Sequence, residues 1–277
     1  MPNDRPSTDA SDIVPRTHQS TTIPLDRAGS VARLHGQNRL LAALSDDDYA
    51  WLSPMLEPVD LPVKRILASP GSAVTHVYFP VIGVASMINR TGDGSVVEVG
   101  TIGAEGMTGL QSVLSDVPLP SETFIQVAGH GFRAPAAAVA RGAAERPGFR
   151  RVLDRYTQAL LVQVAQTATC NLLHPIDERC ARWLLITHDR MGGADTFDLT
   201  HEFLAFMLGV RRAGVTVAAG LLARAGIIRY ARGRVTVLDR AGLEAASCEC
   251  YRLVHVQFER LVGGESPSVP DAAVQSA

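Results

Sequence analysis

The stretch from Leu199 to Leu238 constrains the fold of this chain more than any other segment. Two short helical patterns flank Gly209, where a tight turn requires a positive φ or a close approach of the backbone. Thr200 is a suitable N-cap for the first pattern, and the second runs from Arg212 to Ala225. These lengths predict a helix–turn–helix, a motif whose second helix can lie in the major groove of DNA.

Two strand patterns follow the predicted helices. Ile227–Tyr230 and Val235–Leu238 are joined by a short segment that carries Arg232, Gly233 and Arg234. This arrangement predicts a β-hairpin wing with arginines at its tip, suited to lying over a phosphate backbone.

The charge of this region differs from that of the whole chain. Between Thr200 and Arg240, seven arginines stand against two acids, Glu202 and Asp239, which gives a local charge of +5 in a chain whose total is -2. Such a local excess indicates an anionic partner. A merely solvated face would give the same count, so charge alone leaves both interpretations open.

Composition excludes several classes of protein. With 46% hydrophobic and 19% charged residues, the 277-residue chain can bury enough apolar surface to fold. Its 24 glycines, 16 prolines and 4 cysteines fit neither collagen nor a disulfide scaffold. The first 30 residues are charged and contain no apolar run, and Tyr156–Ile176 is too polar for a membrane span. We therefore expect a cytoplasmic protein without membrane contacts.

Neither enzyme motifs nor metal motifs stand out. The sequence lacks G-x-S-x-G, G-x-x-x-x-G-K and H-E-x-x-H, so we do not expect an enzyme. Cys248 and Cys250 are spaced C-x-C, but with Cys170 and Cys180 they match no zinc or iron–sulfur spacing. We expect four ordinary reduced cysteines, no metal and no cofactor.

The first half of the chain changes from strand to helix patterns near Pro135. Two short helices are expected between residues 37 and 56, with Ser45 as an N-cap. Short β-branched runs then predict a small β-barrel or jelly-roll. The candidate strands are Val59–Leu67, Thr75–Phe79, Val84–Asn89, Val96–Thr101 and Thr123–Val127.

A long helix is predicted over Phe149–Leu173, and it is apolar on more than one face. Such a helix must be covered on more than one side. The β-barrel and a second copy of the same helix would supply this cover in a parallel dimer; burial within one subunit is the alternative. His174-Pro175 ends the helix, and a further helix is predicted over Ile176–Arg190.

Taken together, residues 37–262 resemble the Crp/Fnr family of bacterial transcription regulators. The resemblance rests on the helix–turn–helix with its wing and on four segments: VYFPVIGVASM at 77–87, VVEVGTIGAEGMTG at 96–109, NLLHPIDERCARWLL at 171–185 and CECY at 248–251. It implies an α+β protein with an N-terminal double-stranded β-helix (a jelly-roll of the cyclic-nucleotide-binding type), a long dimerisation helix and a C-terminal winged helix–turn–helix. It also implies a homodimer that binds double-stranded DNA and contacts RNA polymerase.

The domain limits that follow from this resemblance divide the chain into five parts. They are a disordered tail at 1–35, a β-roll effector domain at 36–147, a dimerisation helix at 148–174, a winged helix–turn–helix at 175–248, and a C-terminal helix and tail at 249–277.

The resemblance also assigns DNA contacts residue by residue. Arg212 matches the arginine that reads guanine in cyclic-AMP receptor proteins, and Ala213 and Val217 replace an acid and a second arginine of that pattern, so a different target sequence is expected. The full predicted set is Arg211, Arg212, Ala213, Thr216, Val217, Thr200, His201, Arg232 and Arg234. Of these, Arg211, Thr200, His201 and Arg232 are expected to contact phosphates, although His201 could equally be a simple residue at the helix start.

The expected effector pocket departs from the family pattern. Cyclic-nucleotide binders use a Gly-Glu element for the ribose and an arginine for the phosphate, whereas Glu122 and Thr123 lie where the arginine region falls. A carboxylate there would repel a phosphate, so we expect neither cyclic AMP nor cyclic GMP to bind tightly. An unidentified small-molecule effector, or none, stays open, and the glycines could serve only for tight turns. The candidate pocket residues are Glu98, Gly103, Glu105, Gly106, Met107, Glu122 and Thr123.

The sequence therefore predicts a homodimeric, sequence-specific regulator of transcription. The alternative is a ligand-sensing signalling module whose helical C-terminal domain contacts proteins rather than DNA.

Overall fold

The computed structural model describes residues 35–115 and 117–263. An antiparallel β domain, a long helix and a C-terminal helical domain follow one another along the chain, as predicted. The strands are β1 Glu57–Leu61, β2 Ile66–Ala68, β3 His76–Arg90, β4 Val96–Ile102, β5 Glu122–Pro135, β6 Thr196–Asp198, β7 Ile228–Ala231 and β8 Arg234–Val237. Of the tail predicted at 1–35, only His35 is described. Of the C-terminal helix and tail predicted at 249–277, the structure describes residues up to 263, and these include the helix Cys250–Val262. The division of the chain into five parts stays a prediction.

The helices account for most of the chain after residue 135. They are α1 Arg39–Ala42, α2 Asp46–Leu52, α3 Gln111–Leu114, α4 Ala136–Glu145, α5 Pro147–Leu173, α6 Ile176–Asp189, α7 His201–Leu208, α8 Arg212–Arg224, α9 Arg240–Ala245 and α10 Cys250–Val262. In the described ranges, no single helix has the length and apolar character needed to cross a membrane, although α7 and α8 together meet those two criteria as a sharply bent pair.

Strand β5 organises the N-terminal sheet. It pairs with β1, β2 and β3, and β3 also pairs with β4, in the order β1-β5-β3-β4 with every pairing antiparallel. The prediction for β4 is confirmed. The strands predicted over Thr75–Phe79 and Val84–Asn89 are instead one strand, and that part of the prediction is wrong.

The reason lies in how the chain bends within β3. Gly83 has a φ of 102°, and the register with β5 shifts at several points between Pro80 and Ala85. The residues that suggested a break are bulges that bend a continuous strand. A Cβ at Gly129 in β5 would lie only 1.9 Å from the Ile82 carbonyl oxygen, so the two backbones meet where only glycine fits.

Two other strand predictions also differ from the structure. The strand predicted over Val59–Leu67 is divided into β1 and β2, because Lys64 adopts a φ of 71° between them. The strand predicted over Thr123–Val127 continues to Pro135, past glycines that a sequence pattern interprets as a turn.

Most helix predictions are confirmed. Helices α5 and α6 have the predicted limits to within two residues, and the Ser45 side chain caps α2 by accepting a hydrogen bond from the Asp48 amide. Helix α5 is covered on one side by the β domain and on another by α10. Tyr156 donates a hydrogen bond to the Met107 carbonyl oxygen at 2.7 Å, and its ring lies 6.4 Å from that of Phe258. The cover by α10 was not predicted.

Helix α6 joins the β domain to the C-terminal domain through two buried polar contacts. Arg190, directly after α6, binds both carboxylate oxygens of Glu105, with Nη2 2.6 Å from Oε1. Trp183, in α6, donates from Nε1 to Glu98 Oε1 at 3.1 Å. Burial opposes ionisation of Glu105, but the Arg190 guanidinium holds the pKa of Glu105 below its usual value.

Glu98 has the opposite titration behaviour. Burial raises the pKa of Glu98 to about 7, against the hydrogen bonds from Ser86 and Trp183. The Ser86 hydroxyl lies within hydrogen-bond reach of both Glu98 Oε2 and Gln126 Oε1. One hydroxyl proton serves only one of these acceptors, so a protonated Glu98 that donates to Ser86 leaves the Ser86 proton for Gln126 Oε1, while Gln126 Nε2 has no partner among the described residues.

We expect Glu98→Gln to alter how stability depends on pH. The folded-state pKa of Glu98 lies above its usual 4.5, so the neutral carboxyl stabilises the fold below pH 4.5, and this contribution is lost as the pH rises through about 7. A glutamine can make the same contacts without ionising. Its stability relative to the wild type should therefore rise by up to about 3 kcal/mol between pH 4.5 and pH 8, as measured by chemical denaturation.

Glu145→Gln makes the same chemical change at an exposed position at the end of α4 and serves as the control. Parallel pH profiles for the wild type and Glu98→Gln would show that folding does not raise the pKa of Glu98.

Candidate nucleic-acid interface

Helices α7 and α8 form a helix–turn–helix. Their axes are bent by 110°, within the range of this motif. Thr200 caps α7 as predicted, accepting a hydrogen bond from the Phe203 amide at 3.1 Å. Gly209 ends α7 with a φ of 62°, the left-handed conformation that glycine adopts without strain.

Packing between the two helices decides which side of α8 faces outward. Val215, Ala218 and Leu222 are buried in the same core as Phe203 and Met207 of α7. The opposite side of α8 is exposed and begins at its N-terminus. The exposed residues are Arg212, Ala213, Thr216, Val217, Leu221 and Arg224. The first four were predicted to read DNA, and Leu221, 45% exposed, was not.

The wing is a two-residue hairpin. Strands β7 and β8 pair with Ala231 opposite Arg234, so the turn consists of Arg232 and Gly233. Their φ values are 51° and 74°, as a type I′ turn requires. Arg232 is exposed at the tip, as expected. Arg234 is also exposed, but its Nε lies 3.0 Å from Asp198 Oδ1.

Fewer of the positive charges in this region are available to an anion than the sequence count of +5 suggests. Arg240 pairs with Asp189 and Glu244 and therefore does not belong to the exposed arginines. In residues 35–115 and 117–263, no carboxylate pairs with Arg211, Arg212 or Arg232. These three arginines lie at the start of α8 and at the wing tip, where an anion can reach them.

His201, in α7, contacts both the wing and α8. Its ring stacks on Tyr230 at 4.1 Å between centroids, and Nδ1 lies 3.1 Å from Thr216 Oγ1. Burial lowers the pKa of His201, and the charge of Arg212 lowers it further, so the ring is neutral at pH 7. Thr216 donates to the Arg212 carbonyl oxygen at 3.0 Å. No sequence pattern pointed to Tyr230, because its role depends on the hairpin's position.

The predicted effector residues do not form one pocket. Gly103 and Gly106 lie against Arg190 and Tyr156, where a Cβ would approach side-chain atoms to 2.2 Å in each case. Glu98 and Glu105 are the two carboxylates that contact α6 and the residue after it. Glu122 lies 3.5 Å from Arg90. These contacts use the glycines for close packing and use the acids within the protein.

A cavity of about 270 Å³ lies between the β domain and α5. Met107 and Thr123 line it, together with apolar residues such as Leu110, Leu160 and Val164. The described lining residues carry no charge. The cavity suits a small apolar molecule better than an anion, because it offers no cationic donor to a phosphate.

A protein-family model relates the C-terminal domain to known proteins. Residues 178–246 match the family model of the Crp-like helix-turn-helix domain, which spans most of α6 and the motif with its wing. No curated protein matches the chain.

Solved structures extend the likeness to the rest of the chain. FixK2 from Bradyrhizobium japonicum is 16% identical, with a TM-score of 0.59 over 70% of this chain and 98% of its own. A CRP-family transcriptional regulator from Thermus thermophilus is 18% identical, with a TM-score of 0.55 over 69% and 96%. The c-di-GMP-responsive global regulator CLP from Xanthomonas campestris is 13% identical, with a TM-score of 0.54 over 70% and 99%. The chain therefore carries a Crp-like helix–turn–helix domain at 178–246 and has the fold of Crp/Fnr-type transcriptional regulators.

Proposed function

We propose that this protein is a sequence-specific, DNA-binding regulator of transcription that acts as a homodimer. The observation that carries the proposal is the outward side of α8. It presents Arg211 and Arg212, which pair with no carboxylate among the described residues, beside exposed Ala213, Thr216 and Val217, within a domain that matches the Crp-like helix–turn–helix. A helix of this kind enters the major groove with its N-terminal residues against base edges.

The contacts divide into two kinds. Arg212 reads guanine, because a guanidinium can bind O6 and N7 together, and the apolar side chains of Ala213 and Val217 suit a thymine methyl group. Arg211, Thr200, Arg232 and Arg234 approach phosphates, which position the protein without reading sequence. To reach a phosphate, Arg234 must give up its ion pair with Asp198. His201 keeps α7, α8 and the wing in register through Thr216 and Tyr230.

A module that binds proteins through this domain is the less favoured alternative. A DNA-binding surface needs cationic groups for the phosphates, and in the described residues Arg211 and Arg212 at the start of α8 and Arg232 at the wing tip pair with no carboxylate. Two of the solved relatives are described as regulators, which supports a regulatory role. Contact with RNA polymerase and a cytoplasmic location stay predictions.

The dimer proposal rests on the uncovered side of α5. Leu161, Ala165, Ala168 and Leu172 are exposed and follow one another at i, i+4, i+7 and i+11, the spacing of a coiled-coil seam. Leu161 is 64% exposed and Leu172 82%. The β domain and α10 cover other sides of α5 and leave this seam free. A second copy of α5 would bury it in a parallel pair.

We further propose that the β domain does not bind cyclic AMP or cyclic GMP. Glu105, which the family pattern places at the ribose, is bound to Arg190, and Glu122 lies near Arg90. The cavity beside α5 has no cationic lining residue among those described. A cyclic nucleotide would leave its phosphate without charged donors.

Replacing Arg212 and Arg232 should separate the two kinds of DNA contact. With an operator selected from random sequences, Arg212→Ala should lose about 1–3 kcal/mol of discrimination at one base pair of each half-site. Arg232→Ala should weaken binding to all sequences alike and reduce the salt slope by about 0.9 for each phosphate that is no longer neutralised. Fluorescence anisotropy over a range of salt concentrations measures both effects.

Arg133→Ala removes an arginine from the β domain and should leave DNA binding unchanged. If Arg212→Ala and Arg232→Ala both bind the operator like the wild type, the assigned roles are wrong.

Charge placed in the α5 seam should dissociate the dimer. We expect the wild type to have twice the chain mass of 29.6 kDa by light scattering at micromolar concentration. Leu161→Glu should shift the mass toward one chain, because the pair would bury two uncompensated carboxylates. Leu253→Glu, at an exposed position of α10, is the control. A wild type with the mass of one chain would refute the dimer.

Calorimetry tests the nucleotide proposal directly. Titration with cyclic AMP or cyclic GMP should give no saturable heat, and neither nucleotide should raise the melting temperature, since a ligand stabilises only the state that binds it. Micromolar or tighter binding of either nucleotide would overturn the proposal.

A further inference from the structure

Four potential metal ligands meet where the long helix ends. Cys170 and His174 lie one helical turn apart at the end of α5, and Cys248 and Cys250 lie at the start of α10. Their three sulfur atoms and one ring nitrogen all lie within 4.8 Å of one another. The sequence led us to expect four ordinary reduced cysteines and no metal; the structure brings three of them together with His174, and Cys180 lies outside this cluster.

The separations agree with tetrahedral coordination. Cys170 Sγ lies 3.5 Å from Cys248 Sγ, and Cys250 Sγ lies 3.4 Å from His174 Nδ1. Four ligands around one zinc ion, with bonds of about 2.3 Å to sulfur and about 2.0 Å to nitrogen, place sulfur atoms about 3.8 Å apart and sulfur and nitrogen about 3.5 Å apart. A disulfide between Cys170 and Cys248 would join only two of the four groups and would explain neither Cys250 nor His174.

The surrounding residues complete such a site. Glu249 Oε1 lies 3.3 Å from His174 Nε2, so the carboxylate can orient the ring with Nδ1 toward the sulfurs. Gln166 donates from Nε2 to Cys250 Sγ at 3.0 Å, which stabilises a thiolate. Three thiolates and one divalent ion carry a net charge of -1. The positive charges of Arg182 and Arg179 act on Cys170 and offset it.

We propose that Cys170, His174, Cys248 and Cys250 bind one zinc ion in a closed structural site. The donor set of three sulfurs and one nitrogen is that of a Cys₃His zinc site, and the compact arrangement encloses a single ion. All three cysteines are buried, and four protein ligands leave no open position for substrate, so the site is structural rather than catalytic.

The zinc site would connect two segments of the chain near the boundary between α5 and α6. Helix α5 ends at His174-Pro175, directly before α6 begins, and Cys248 and Cys250 follow the last helix of the winged domain. A bound ion would connect the end of α5 to the far end of that domain. It would therefore limit how the helix–turn–helix can turn relative to α5.

Metal analysis of the purified full-length protein tests the proposal. The protein is expressed with added zinc and purified under reducing conditions without chelator. We then expect about one zinc ion per chain by inductively coupled plasma mass spectrometry. Cobalt titrated into the chelator-treated protein should give the visible absorption of a tetrahedral thiolate site. Zinc competition should show nanomolar or tighter affinity, and removal of zinc should lower the melting temperature.

Matched variants identify the ligands. Cys250→Ser should abolish stoichiometric zinc, whereas Cys180→Ala, which removes a buried cysteine outside the cluster, should retain it. Glu249→Gln should keep the fold and weaken zinc binding by about 10–100-fold. This last variant keeps the proposal testable if Cys250→Ser does not fold.

Several outcomes would overturn the proposal. They are a folded, reduced wild type that takes up no stoichiometric zinc, equal zinc binding by the wild type and Cys250→Ser, and unchanged affinity in Glu249→Gln. A Cys170–Cys248 disulfide in protein purified without added oxidant would also overturn the proposal, because these two cysteines would then form a redox pair. Mass spectrometry would detect this disulfide as a mass lower by two hydrogens.

Discussion

The buried ion pair between Glu105 and Arg190 is the interaction on which the arrangement of the two domains depends. Glu105 belongs to the loop after β4, and Arg190 follows α6, the helix against which α8 packs. Both charges are removed from water, so each needs the other, and removal of either one would leave an uncompensated charge in the interior. The nearby contact between Trp183 and Glu98 links the same two elements. These two contacts therefore connect the β domain directly to the helix on which the helix–turn–helix rests.

The parts of the fold that repeat locally could be predicted from the sequence. Apolar spacing defined α5, α7 and α8, because each of these helices shows its buried side within its own residues. Caps and stops at Thr200, Gly209 and Pro175 set the limits of these helices. Strand limits were less predictable. Bulges around Gly83 and glycines in β5 resemble turns until the partner strand is in place.

The candidate site was predictable to the extent that it lies on one short element. The outward residues of α8 followed from its inward ones, and the wing tip followed from Arg232-Gly233. Contacts between distant segments could not be found in this way. The pairing of Arg240 with Asp189, the stacking of His201 on Tyr230, and the meeting of Cys170 with Cys248 each depend on tertiary packing. The C-x-C spacing was visible, but the other two members of the cluster, Cys170 and His174, lie at the end of a different helix.

The turn at the tip of the wing restricts how this surface can change. Arg232 occupies a left-handed backbone conformation, in which most side chains are strained by about 1–2 kcal/mol. Glycine, asparagine and aspartate tolerate that conformation best, and none of them carries a positive charge. A substitution that relieves the backbone strain at this position therefore also removes the positive charge that we propose to lie against a DNA phosphate. A relative with a relaxed turn would need cationic side chains elsewhere in the domain to recover its affinity for phosphates.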